Sequence, residues 1–468
     1  MSLAAFRVAS GPCRLQRLLR WWLALCLLAV LPVQGAQAVL QLSGDTPDID
    51  AWPALTAWTD AQGQADLDAA LAQRQHFAPP DTPHANLGVR RDAVWLRLQL
   101  QVGARDDGRW ILDADYPSLD RVEVHVLRNG QLERQAVLGD QLAFDERVLA
   151  SRSHAMWLPL QPGASYELLL RVQTTSSMIV PLRLMKAEAF HARETRLQML
   201  QGLATGIALC LLVYALAHWV GSREPMFLHY AVMMAGVGLF FFAYYGLAAQ
   251  YLWPGNRWLT NNMAPLAVLV GLGGGMPLIE RLLDLRALQP RMARLLQALA
   301  VVAFGAAALF ALDLISYRAA HLMGTLLGPM PIVLAVQGAW LRWRQGDVGA
   351  RYIFAGWAVY LVGVAVMAAL LRGWVGSDGV TQHAFQTASL FEALMWLRVL
   401  GVRNADARRE AERVDREREV LQTLAHTDAL TGLPNRRGLE AELAAALPAP
   451  DAQRVLAVYL LDLDGFKA

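Results

Sequence analysis

Between Tyr352 and Leu371 the chain reads YIFAGWAVYLVGVAVMAALL, twenty residues without a charged side chain. At about 1.5 Å per residue, such a helix matches the thickness of a bilayer's hydrocarbon core. Six other apolar stretches of similar length surround it: Leu197–Val220, Met226–Ala249, Asn262–Leu283, Leu295–Ile315, Ala319–Leu341 and Val380–Leu400. The third in chain order is interrupted by Gly273, Gly274, Gly275 and Pro277. The last carries Gln382, His383, Gln386 and Glu392. A soluble helical core does not explain seven such runs joined by short loops, so a seven-helix transmembrane bundle is expected over 197–400.

Arginine placement orients the bundle. Taken alternately, one set of loops holds Arg223, Arg281, Arg286, Arg291, Arg294, Arg342, Arg344 and Arg351; the other holds Arg257, Arg318 and Arg372. The richer set belongs in the cytoplasm. With an odd number of crossings, the region before Leu197 lies outside and the region after Leu400 lies inside. Glu392, within the seventh segment, is the intramembrane group expected to make a conformational contact, with Arg398 or a neighbouring helix. Gly202 and Gly206 have the spacing of a close helix contact.

The remainder of the 468 residues divides around this block. Residues 1–38 read as a signal peptide: Arg14, Arg17 and Arg20 precede the apolar Trp21–Val33, and Ala36-Gln37-Ala38 offers a cleavage site. Of the three cysteines, Cys13 and Cys26 lie in this leader and Cys210 in the first membrane segment, so residues 39–190 have no disulfide framework. A net charge of +2 gives no field for a nucleic-acid polymer.

Residues 39–190 carry short alternating runs: Val94–Val102, Trp110–Leu112, Arg121–Arg128, Ala155–Leu160, Tyr166–Gln173 and Ile179–Met185. Asp107-Gly108, Asn129-Gly130, Gly139-Asp140 and Pro162-Gly163 punctuate them as turns, which predicts an antiparallel β-sandwich. In the first run Trp95, Arg97 and Gln99 share one face and Leu96, Leu98 and Leu100 the other. Trp52, Trp95, Trp110 and Trp157 are expected to pack in the core.

The order of these strands, from Trp95-Leu96-Arg97-Leu98 through Trp110–Asp113, Tyr116–Val122, Ser153–Leu160 and Tyr166–Val172 to Thr174–Pro181, resembles the extracellular domain of bacterial seven-transmembrane receptors with diverse intracellular signalling modules. The resemblance continues over the membrane block. It implies a jelly-roll-like fold and a small periplasmic ligand, carbohydrate-like among the candidates. It also implies a multi-pass protein of the bacterial inner membrane.

Residues 401–425 change character. Charged side chains dominate, Gly and Pro are absent from 403–419, and Leu400, Ala407, Val414 and Leu421 recur every seven residues. A parallel coiled-coil seam through 400–421, and hence a homodimer, is expected. Then comes Thr427-Asp428-Ala429-Leu430-Thr431-Gly432-Leu433-Pro434-Asn435-Arg436-Arg437, followed by a short helix and an apolar strand ending in Asp462-Leu463-Asp464-Gly465-Phe466-Lys467. The two motifs at this spacing resemble the start of a GGDEF diguanylate cyclase domain, an α/β fold of which 426–468 is the N-terminal fragment. The resemblance implies GTP as substrate, cyclic di-GMP as product and Mg²⁺ (or Mn²⁺) as cofactor. It implies that Asp462 and the Leu463 backbone carbonyl ligate the metal, and that Phe466 and Lys467 lie in the phosphate-binding turn. Asp428, Asn435, Arg436 and Asp464 then act as structural residues of the motif, with Asp428 a partner for Arg436.

The chain stops at Ala468, before the Gly-Gly-Asp/Glu-Glu-Phe loop of that family. As it stands it is expected to be inactive, and to make cyclic di-GMP only with the domain complete. A non-enzymatic ligand-binding receptor is one alternative. A sensor-kinase receptor is the other, but His426 lacks the acidic neighbour that such a kinase needs.

Overall fold

In the computed structural model, residues 39–446 and Tyr459 are described. The expected signal peptide, and the strand and turn through Asp462, Leu463, Asp464, Phe466 and Lys467, lie outside the described residues.

The outer region is β-rich. Its strands are β1 (Leu40–Leu42), β2 (Asp48–Asp50), β3 (Thr56–Asp60), β4 (Asn86–Val89), β5 (Ala93–Val102), β6 (Arg109–Ala114), β7 (Arg121–Arg128), β8 (Gln131–Leu138), β9 (His154–Pro159), β10 (Ser165–Gln173), β11 (Ser177–Ile179) and β12 (Leu182–Met185). One sheet runs β1-β5-β10-β7-β8, with β3 also paired to β5; another runs β2-β12-β6-β9; β4 and β11 form a small ribbon. The pairs are antiparallel except β1 with β5. Leu96, Leu98 and Leu100 of β5 meet Leu112 of β6, Leu158 of β9 and Leu184 of β12 in one core between the two larger sheets.

The opposite face of β5 is covered too. Helix α1 (Leu67–Ala72) brings Ala70 over Trp95, which packs with Phe77, Leu127 and Leu169. Trp52, Trp95 and Trp110 are buried as expected, but Trp157 is exposed. It stands in β9 between the inward-facing Met156 and Leu158 and falls on the outer face by strand alternation. The Asn129-Gly130 turn joins β7 to β8 with both residues at positive φ, the conformation of a type I′ hairpin.

Eleven further helices complete the chain: α2 (Ala187–Ser222), α3 (Pro225–Tyr244), α4 (Leu247–Tyr251), α5 (Arg257–Leu282), α6 (Leu285–Leu288), α7 (Pro290–Ala311), α8 (Tyr317–Leu327), α9 (Met330–Arg344), α10 (Val348–Leu371), α11 (Gly379–His426) and α12 (Arg436–Ala446), counted among the described residues. Six helical stretches are long and apolar enough to cross a membrane, with α8 and α9 counted together. The expected seventh segment, Val380–Leu400, is the first part of α11, where Gln382, His383, Gln386, Glu392 and Arg398 dilute the apolar side chains. That first part packs within the bundle: Ala388, Ala393, Trp396, Val399 and Leu400 are buried.

The glycine run does not interrupt α5, which continues through Pro265 and Pro277. It lets neighbouring helices close on it instead. A Cβ on Gly274 would lie 2.7 Å from the Met233 nitrogen of α3, and one on Gly236 would lie 2.4 Å from the Gly271 nitrogen. Close backbone approach through small residues is how membrane helices gain packing. Gly202 and Gly206 behave differently: nothing lies within 4 Å of a Cβ built on either, so their motif makes no helix contact here.

Candidate functional site

The β-rich region and the bundle meet at the loop joining α10 to α11. Asn86, fully buried in β4, donates its amide to the carbonyls of Leu370 (2.6 Å) and Val375 (2.8 Å). Ser177 of β11 donates to the carbonyl of Leu371 at 2.7 Å. The Ser377 amide donates to the carbonyl of His84 at 2.8 Å. Gly88 and Gly373, both at positive φ, lie back to back, and a Cβ on Gly373 would fall 2.9 Å from the Gly88 Cα. The backbone at the outer end of α11 is thus gripped by the small β4–β11 ribbon. Removing the Asn86 amide would take the side-chain donor from the Val375 carbonyl, a loss of about 1–3 kcal/mol, while the Leu370 carbonyl keeps the Gly373 amide.

From this clamp α11 runs unbroken to His426, roughly 70 Å at 1.5 Å per residue. Asp378 caps its start by accepting from the amides of Val380 and Thr381. Along the bundle it lies against α10, where Gly363 leaves room for Ala388 and Gly356 for Met395 and Glu392. Gln386 exchanges two hydrogen bonds with Gln201 of α2, at 3.0 and 2.7 Å. Tyr230 of α3 donates to the carbonyl of Ala393 at 2.9 Å. Glu392 lines an apolar cavity of about 130 Å³ between the helices. Arg398 lies over the ring of Tyr352, and no ion pair joins it to Glu392 among the described residues.

At the other end of the bundle Arg403 pins α11. It pairs with Asp347 at 2.5 Å and donates to the carbonyl of Leu282 at 3.1 Å. Asp347 also caps α10 through the Gly349 amide. Beyond Arg403 the helix is solvated and laced by Asp406–Arg409, Glu410–Arg413, Arg413–Glu417 and Glu412–Arg416 pairs. Such pairs stabilise an isolated helix by a few tenths of a kcal/mol each, about 0.2–0.5. Val414 and Leu421 of the heptad stripe are exposed.

After His426 the chain makes a tight turn. Asp428 accepts from the Leu430 and Thr431 amides and the Thr431 hydroxyl through one oxygen, at 3.1, 2.9 and 2.8 Å. These bonds, the Thr431 hydroxyl foremost, hold its carboxyl below the ordinary range. Asn435 donates to the Ala425 carbonyl at 2.9 Å and accepts from the Gly438 amide at 3.0 Å, fastening α12 to the end of α11. Arg436 does not pair with Asp428. It pairs with Glu440, one helical turn along at 3.1 Å, while Asp428 holds the turn's own donors. A Cβ on Gly438 would sit 2.1 Å from the His426 carbonyl oxygen, so only glycine fits there.

Sequence patterning missed a charged cluster beneath the sheets. Arg152 pairs with Asp115 (2.7 Å) and Glu194 (3.0 Å), and Arg193 with the other oxygen of Asp115 at 2.8 Å. Arg193 and Glu194 belong to the first turns of α2, so the cluster ties the β-rich region to the bundle. Nothing in an alternating pattern distinguishes these residues from solvated ones; only the topology buries them. Asp113 lies beside them without a cation of its own. Burial, and then the charge of Asp115, push it up to about 7. The native state therefore holds a proton that the unfolded chain releases near pH 4, and stability falls as pH rises from there through about 7. Asp140 and Glu194 are raised as well. Asp113→Asn should thus make the fall of melting temperature between about pH 5 and pH 8 shallower, and raise stability at the upper end. An unchanged slope would show that Asp113 is not the titrating group.

Among the described residues no cluster of three His, Cys, Asp or Glu side chains could hold a metal ion. The expected ligand Asp462 lies outside them.

Comparison with family models matches the chain in three places. The model for 7TM diverse intracellular signalling matches residues 197–403. The model for 7TMR-DISM extracellular 2 matches residues 53–186. The model for the diguanylate cyclase GGDEF domain matches residues 425–468. No curated protein matches the chain.

Proposed function

We propose that this chain, which belongs to the 7TM receptors with diverse intracellular signalling modules, couples a periplasmic ligand to cyclic di-GMP synthesis across the bacterial inner membrane. The observation that carries this reading is α11, one continuous helix from the clamp at Asn86 to the GGDEF motif at Thr427. A shift of the β-rich region displaces the outer end of a stiff rod whose inner end bears the enzyme.

The first part of α11 then serves as the seventh crossing. Its loop to α10 is held by the outer domain, and Arg403 sits at the arginine-rich inner face. Residues 1–38 act as signal peptide, 39–190 as a jelly-roll-like sensor and 401–425 as the signalling helix. Two copies meet through Val414 and Leu421, whose exposure leaves the stripe free for a partner. Dimerisation suits the reaction, because each cyclase domain holds one GTP and the product joins two. With the domain complete, Asp462 and the Leu463 carbonyl would hold the divalent metal. That ion neutralises phosphate charge while one 3′-hydroxyl attacks the other nucleotide's α-phosphate and pyrophosphate leaves. Phe466 and Lys467 would line the phosphate turn.

Cells producing the receptor with a complete cyclase domain should accumulate cyclic di-GMP. Folded receptor in the membrane with no rise in the nucleotide would remove the enzymatic reading and leave a ligand-binding receptor.

A further inference from the structure

A cavity of about 270 Å³ lies where the β-rich region meets the outer ends of the membrane helices. It has room for on the order of ten water-sized groups at about 30 Å³ each. Asp120, Asp140 and Arg147 line it from the sheet side, and Trp253, Asn261 and Tyr317 from the helix side.

The polar groups around it are unevenly used. Asp120 is satisfied, accepting from the Thr174 hydroxyl and from both the amide and hydroxyl of Thr175. Arg147 donates through Nη1 to the carbonyls of Ser151 (2.9 Å) and Arg152 (3.2 Å). Its Nε has no partner, and no carboxylate stands within ion-pairing distance of its guanidinium, among the described residues. No side chain among the described residues donates to the Asp140 carboxylate. Trp253 Nε1 and Asn261 Oδ1 are buried without a partner there as well. An unpaired buried polar group costs about 1–3 kcal/mol, more if charged. A cavity of purely structural origin would be expected to close Arg147 directly onto Asp140. Here the two charges face one space and do not meet.

We propose that this cavity is the receptor's ligand site and that it takes a small zwitterion of the α-amino-acid or betaine class, its cationic group on Asp140 and its carboxylate on Arg147. A neutral polyol would supply hydrogen bonds but leave both half-buried charged groups unpaired. Burial, followed by the charge of Asp120, raises the Asp140 carboxyl well above its ordinary range, and burial lowers Arg147; an occupant of opposite charge relieves both. Trp253 and Asn261 belong to the membrane block and Asp140 and Arg147 to the β8–β9 connection of the β-rich region, so an occupant bridges the two at a point separate from the clamp. This inference rests on the receptor reading above, but its test reads binding alone.

The purified full chain in detergent is titrated with the common L-α-amino acids and glycine betaine, and with glucose and myo-inositol as neutral controls. Melting temperature and titration calorimetry are the readouts. At least one zwitterion should raise the melting temperature saturably, and neither polyol should. Asp140→Asn and Arg147→Gln, each removing one of the two charges, should weaken that binding about thirtyfold or more. Trp253→Phe, which keeps an aromatic ring and loses the N–H, serves where a charge variant does not fold, and should weaken it about fivefold or more. Absence of binding by any of these zwitterions, binding unaffected by all three variants, or saturable binding of a polyol lost in the variants would overturn the proposal. Zwitterion binding to the full chain, with cyclic di-GMP unchanged when the same ligand is given to cells producing the receptor with a complete cyclase domain, upholds the site and counts against the receptor reading instead.

Discussion

Asp462→Asn, in the receptor with its cyclase domain complete, is expected to cut cyclic di-GMP production from GTP and Mg²⁺ about a hundredfold or more. The substitution keeps the side chain's shape and removes one negative charge from the proposed metal site. Metal-assisted displacement at phosphorus depends on that charge to hold the ion against the phosphates. Membrane insertion and self-association should not change, because the Val414–Leu421 stripe lies on a solvated helix well before Asp462 in the chain. Turnover near normal would show that Asp462 is not a metal ligand. Turnover lost together with self-association would mean that the variant had failed to fold.

A second large effect is expected from Ala411→Pro. Ala411 sits in the exposed part of α11, between the Arg403 pin and the cyclase turn. Proline there removes a backbone donor and crowds the preceding turn, costing about 3 kcal/mol in a helix interior. A kinked rod no longer conveys the position of its outer end. Output should persist at some fixed level and lose its dependence on changes at the clamp. Retained dependence would place the coupling outside α11.

The membrane segments were legible because uninterrupted apolarity over about twenty residues suits a bilayer far better than a water-soluble core. Their internal detail was less so. The expected fifth segment, Ala319–Leu341, is divided at Gly328-Pro329 into α8 and α9, a break that the uniform apolar run conceals although Pro329 marks it. The glycines of α5 looked like an interruption and are a packing surface, because their meaning depends on which helices approach. Among the strands, β7 matches its expected span residue for residue, since Val122, Val124 and Val126 alternate inward. Its hairpin partner β8 carries Glu133, Arg134 and Gln135 on an exposed edge, and a polar edge strand leaves little periodic signal. Short β1 and β2 are likewise held by pairing to β5 and β12 rather than by patterning of their own.

The site divides the same way. The Asp428–Asn435 turn was visible as a motif, although its internal bonds differ from the Asp428–Arg436 pair that the resemblance implied. The clamp was not visible. Asn86 and Ser177 lie 91 residues apart in the numbering, and reach a loop 284 and 194 residues further along. Only a folded interface unites them.

The central claim is that the clamp sets the state of α11 and, through it, the enzyme. Its most direct test is cyclic di-GMP output, per folded receptor in the membrane, of Asn86→Leu against the parent with the cyclase domain complete. Leucine cannot donate to the Leu370 and Val375 carbonyls, so the outer end of α11 is released while the cyclase sequence is untouched. The account predicts a change of about fivefold or more, the lower end of a typical coupling energy. Equal output from folded, correctly inserted Asn86→Leu and parent would contradict it.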